Sequence, residues 1–106
     1  MIFYTPDQAE IMCRAVFEHG GLQQEDVAIE ELAELQHAII KHRRYGTPET
    51  RQHIIEEVAD VSIMLYQLLL IHGFTEYNGI VDAKLQRLLA RLNEEETKRK
   101  EESFND

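Results

Sequence analysis

The chain has a single cysteine, only two prolines and no tryptophan among its 106 residues. One cysteine, Cys13, excludes an intramolecular disulfide and a cysteine zinc centre. It sits inside a helical pattern and is expected to serve as a small core residue. With helix breakers so scarce, long stretches of Ala, Leu, Glu, Gln, Arg and Ile run uninterrupted, which is the composition of helix. Basic charge is also short: eleven Lys and Arg face twenty Asp and Glu, for a formal net charge of −9. That balance excludes sequence-independent binding to nucleic-acid backbones. It leaves room for a phosphate-bearing small ligand where metal ions neutralise the local acids. Long hydrophobic runs are missing as well. The longest apolar-rich stretch, residues 61–71, is broken by Ser62 and Gln67 and is too short to span a bilayer. The stretch MIFYTPDQ at the start lacks the basic region and apolar core of a signal peptide. No membrane partner is expected, and a cytoplasmic location is.

What is present divides the chain into four helices. Thr5-Pro6-Asp7-Gln8 is a helix start: Thr5 can cap, Pro6 suits the first position and Gln8 can close a capping box. This first helix is expected to stop at Gly20-Gly21. A second runs from about residue 24 to 44 and stops at Gly46. Thr47-Pro48 repeats the start signal for a third, which ends at Gly73. Asn78-Gly79 reads as a turn, followed by a fourth helix with Val81, Leu85, Leu88, Leu89 and Leu92 on one stripe. Residues 1–97 are expected to form one all-α domain, and residues 98–106 a charged tail that frays. The aromatics Phe3, Tyr4, Phe17, Tyr66, Phe74 and Tyr77 are assigned to core and helix-end packing.

The fourth helix is amphipathic, but the second and third are apolar around most of their circumference. In the third, Ile54, Ile55, Val58, Val61, Ile63, Met64, Leu65 and Leu68 to Ile71 point in nearly every direction. A helix apolar on all sides is buried on all sides. One small chain cannot supply that cover, so a homodimer or a dimer of dimers is expected.

Acids interrupt these apolar faces. At roughly 100° per residue, Glu31 falls between Leu35 and Ala38, and Glu34 beside Val27. Glu57 falls between Met64 and Leu68, and Asp60 between Gln67 and Ile71. Burying unpaired carboxylates costs several kcal/mol, and crowding them adds repulsion. Protonation, basic partners such as Lys41, Arg43, Arg44 and Arg51, or metal ions must offset that. Glu31 and Glu34 are three apart, as are Glu57 and Asp60, so each pair shares a helix face. On antiparallel neighbours the two pairs converge. A pure oxygen set of this kind suits a hard dication such as Mg²⁺.

Glu30-Glu31-Leu32-Ala33-Glu34 followed by Glu56-Glu57-Val58-Ala59-Asp60 resembles the EExxE…EExxD signature of the MazG-like nucleotide pyrophosphohydrolases. That family belongs to the all-α NTP pyrophosphatase superfamily, alongside dimeric dUTPases and phosphoribosyl-ATP pyrophosphohydrolases. The likeness lies mostly in residues 26–73 and is looser in the first and last helices. It implies a four-helix MazG-like bundle completed by oligomerisation. It also implies a Mg²⁺-dependent hydrolase, with Mn²⁺ as a substitute, that splits a nucleoside triphosphate into monophosphate and pyrophosphate. Carried over, the metal ligands are Glu31, Glu34, Glu57 and Asp60. Glu30 becomes a further ligand or the group that orients the attacking water. The role of Glu56 stays open.

A triphosphate also needs cationic contacts. Lys84, Arg87 and Arg91 lie at i, i+3 and i+7 on the fourth helix, one basic stripe in an acidic protein, and family members carry basic residues on their last helix. The same stripe also reads as a solvated face paired with nearby acids. Asn78 is a candidate sugar or phosphate contact, although a cap or turn role explains it equally well. His19, His37, His42, His53 and His72 are not spaced as a zinc set. Glu34 and His37 form the ExxH of di-iron bundles, but Glu57 to Asp60 stands where the second ExxH is required. Two other functions compete with the enzyme: a non-catalytic metal- and nucleotide-binding regulatory protein, and a helical oligomerisation module.

Overall fold

The computed structural model describes residues 4–105, and among them every regular element is a helix. These are α1 (Pro6–His19), α2 (Gly21–Tyr45), α3 (Pro48–His72) and α4 (Tyr77–Asn105). The chain divides into two units, residues 1–73 and residues 74–106. Phe3 and Asp106 lie outside the described residues.

Local chemistry sets the helix ends. The Thr5 hydroxyl accepts from the Gln8 amide while the Gln8 side chain accepts from the Thr5 amide, a complete capping box ahead of Pro6. Thr47 and Thr50 make the same reciprocal pair ahead of Pro48. His42 at the end of α2 lies 2.7 Å from the Thr50 hydroxyl through Nδ1, tying both sides of the turn together. Gly46 makes that turn possible: it is left-handed at φ 60° and its amide donates to the His42 carbonyl.

Two boundaries differ from the sequence reading. Helix α2 begins at Gly21 rather than near residue 24. Gly20 alone, at φ 88° and ψ 151°, reverses the chain, so the second glycine is free to be the first helical residue. Asn78-Gly79 is not a turn. The break falls at Gly73 to Glu76, where Gly73 has a φ of 119°, and Asn78 and Gly79 lie in the first turn of α4. A first turn tolerates both residues, because its amides have no intrahelical partner to lose. The charged segment after Asn93 stays helical to Asn105.

In the first unit α2 and α3 pack antiparallel along their length, and α1 packs on both. Met12, Ala28, Ala38, Val61 and Met64 form its buried apolar core. The two alanines allow α2 to approach α3 closely. Gln24 and Gln67 are also buried and are joined by a 2.7 Å hydrogen bond, donated by the Gln24 amide. Replacing Gln67 alone by Leu strands that donor, and should cost about 1–3 kcal/mol in a urea melt. The double change Gln24→Leu with Gln67→Leu should recover most of the loss. A double variant as unstable as the single would show that the stranded donor is not what the single variant costs.

Cys13 is exposed, contrary to the core role expected of it. Its neighbour Met12 takes the inward position of α1, and one residue further is about 100° round the helix. Phe17 is likewise not core but 89% exposed. Tyr4 and Tyr66 do pack, edge to face, with ring centroids 5.2 Å apart. Large apolar side chains remain uncovered on the outer faces: Leu22, Ile29, Leu32, Ile39 and Ile40 on α2, and Ile55, Val58, Ile63 and Leu65 on α3. In the second unit no residue of α4 is buried, and Leu85, Leu88, Leu89 and Leu92 are about half exposed. No helix among the described residues is long and apolar enough to cross a membrane.

Candidate metal centre

Antiparallel packing brings the middle of α2 opposite the first half of α3. There Glu31, Glu57 and Asp60 each place a carboxylate oxygen within 4.8 Å of the other two. Their settings differ. Glu57 is buried, at 6% exposure, Glu31 is half-buried and Asp60 is open to solvent. Glu57 Oε2 and Glu31 Oε2 are both buried without a hydrogen-bond partner. Such oxygens are costly to leave unpaired.

The electrostatics express this crowding. Burial pushes the Glu31 carboxyl above its ordinary value of 4.5. The negative charges of Asp60, Glu34 and Glu57 push it the same way, and the closeness of the Glu57 carboxyl adds to them. No Lys or Arg relieves the repulsion. Among the described residues the lysine and arginine ion pairs are Arg14 with Glu18 and Lys100 with Glu96, both on exposed helix surface. Lys41, Arg43, Arg44 and Arg51 are exposed and form no ion pair with these acids. Of the three ways to offset a carboxylate cluster, lysine and arginine partners are therefore not used. Protonation and a cation remain.

The donor set fits a hard dication. It offers oxygens only, two of them unpaired and buried, from two helices packed against each other. Glu34 is exposed and outside the three-way group, although its charge reaches Glu31. Glu30 and Glu56 are exposed on α2 and α3. Lys84, Arg87 and Arg91 are exposed along α4, and Asn78 is exposed in its first turn.

One contact of the cluster lay outside the sequence reading. His53 Nε2 is 3.1 Å from Glu57 Oε1, one helical turn before it on α3. The i to i+4 spacing was the available signal. Comparison with family models, with curated proteins and with solved structures finds no match to this chain.

Proposed function

We propose that the chain is a Mg²⁺-dependent nucleoside triphosphate pyrophosphohydrolase, with Mn²⁺ able to replace Mg²⁺. The observation that carries this reading is the convergence of Glu31, Glu57 and Asp60 with two buried, unpaired carboxylate oxygens and, among the described residues, no lysine or arginine paired with them. Their spacing is that of the MazG-like signature described above. Glu31, Glu57 and Asp60 would hold the metal, with Glu34 as the fourth ligand. When bound, a dication neutralises phosphate oxygens and lowers the pKa of water.

The chain's own residues do the remainder. Glu30, next to Glu31 and free in solvent, accepts a proton from the attacking water. As the water oxygen joins phosphorus, the α–β anhydride bond breaks and pyrophosphate leaves. By the resemblance alone, the Lys84, Arg87 and Arg91 stripe is assigned to the triphosphate's charge and Asn78 to a polar contact with sugar or phosphate. A panel of canonical and modified triphosphates, incubated with Mg²⁺ and scored for monophosphate and pyrophosphate, tests the reading. Mg²⁺ binding without pyrophosphate release would instead favour a non-catalytic regulatory protein.

A second copy of the chain is the proposed cover for α2 and α3. On α2 the uncovered residues Leu22, Ile29, Leu32 and Ile39 recur at spacings of seven, three and seven. On α3 Ile55, Val58 and Leu65 recur at three and seven. Both sets repeat at coiled-coil spacing and lie apart from the buried positions of the two helices. Light scattering should give at least twice the 12.4 kDa chain mass. Ile29→Glu with Leu32→Glu should shift the particle to one chain, since charges in such a seam are not tolerated. A wild-type monomer would reject the second copy.

A further inference from the structure

We infer that His53 is a positioning residue that fixes Glu57 for metal binding; the inference rests on the metal reading proposed above. Glu57 is the most buried acid of the cluster, and its two oxygens differ. Oε1 meets His53 Nε2 at 3.1 Å, while Oε2 is buried without a partner. With Glu57 ionised, the hydrogen of this contact sits on Nε2, because a carboxylate only accepts. His53 thus donates to one oxygen and leaves the other as the free donor to a cation.

The burial asymmetry separates this contact from an ordinary surface pair. The His53 side chain is 47% exposed and that of Glu57 is 8% exposed. Arg14 and Glu18, at the same spacing on α1, are 77% and 50% exposed and contribute little in high dielectric. Glu57 has three rotatable bonds and two acidic neighbours, Glu31 and Asp60, within 4.8 Å. Without His53 the repulsion turns it away from Glu31 and Asp60. A metal ligand is commonly oriented by such an outer hydrogen bond, and losing it costs about 10–100-fold in affinity. His53 reaches Glu57 from solvent, so the ring can be changed without opening the core.

The test is Mn²⁺ binding to the full chain without nucleotide, followed by electron paramagnetic resonance of free and bound Mn²⁺. Wild type is compared with His53→Leu, His53→Gln and Glu57→Gln, with helical circular dichroism as the check on folding. His53→Leu should raise the Mn²⁺ dissociation constant about tenfold or more. His53→Gln, whose amide can still donate, should restore most of it. Equal binding by His53→Leu and wild type overturns the inference, and so does equal loss in the Leu and Gln variants. Wild-type binding no tighter than that of Glu57→Gln overturns the metal reading itself, and His53's role with it.

Discussion

Glu57→Gln is expected to lose Mg²⁺-dependent pyrophosphate release by at least ~100-fold, beyond the range seen when only an outer-shell partner of a ligand is removed. The fold should persist. Glutamine is isosteric, its carbonyl can still accept from His53, and one negative charge leaves a crowded cluster. The melting temperature of the metal-free variant should therefore match or exceed that of wild type, while the stabilisation by Mg²⁺ disappears. Both halves matter. Lost activity with a lost fold would say only that Glu57 is structural. Retained activity with full helical dichroism would remove the proposed centre. Steady-state hydrolysis and thermal melts with and without Mg²⁺ on the same preparation separate these outcomes.

The parts of the fold that were legible are those governed by neighbours in sequence. Thr5-Pro6 and Thr47-Pro48 start helices because cap, proline and box all act within four residues. Gly46 and Gly73 end them because a positive φ is a property of one residue. Where two signals overlapped, the reading failed. Gly20 needs the special backbone and Gly21 does not. Asn78-Gly79 carries turn chemistry, yet Gly73 had already broken the chain. Cys13 and Phe17 were misplaced for a different reason. Their composition says apolar, but the single inward face of α1 is occupied by Met12, and only packing decides which neighbour is left outside.

The site was legible to the extent that helix periodicity fixes it. Acids three apart on two antiparallel helices had to share a facing seam, and Glu31, Glu57 and Asp60 do. Periodicity stops at Cβ. It could not say that Glu34 would extend into solvent while Glu31 folds inward, because that is a rotamer choice. His53 was hidden in another way. A histidine four residues before a glutamate is a common surface pattern, and it becomes informative only once Glu57 is known to be buried. The Gln24–Gln67 bond, 43 positions apart in sequence, had no local signature at all.

Mg²⁺ should stabilise the wild-type protein strongly, and more so as pH rises. Metal at ~100 times its dissociation constant adds about 2.7 kcal/mol, which for a unit of this size is a rise of roughly 10–20 °C in Tm. The pH trend follows from Glu31. Its carboxyl is held above 4.5 in the folded state, so the folded protein binds more protons than the unfolded one just above that pH. Stability is then full below about 4.5 and is lost as pH rises through the raised folded value. Mg²⁺ requires the deprotonated cluster, so its contribution grows over the same window and opposes the loss. Glu31→Gln removes both effects at once. Its metal-free melting temperature should fall less between pH 4.5 and 7 than that of wild type, and added Mg²⁺ should move it little. Scanning calorimetry across that range, with Mg²⁺ or with chelator, reads each quantity. A wild-type Tm that climbs with pH in chelator would contradict the crowding of Glu31. An equal Mg²⁺ shift in wild type and Glu31→Gln would mean that any bound ion sits elsewhere.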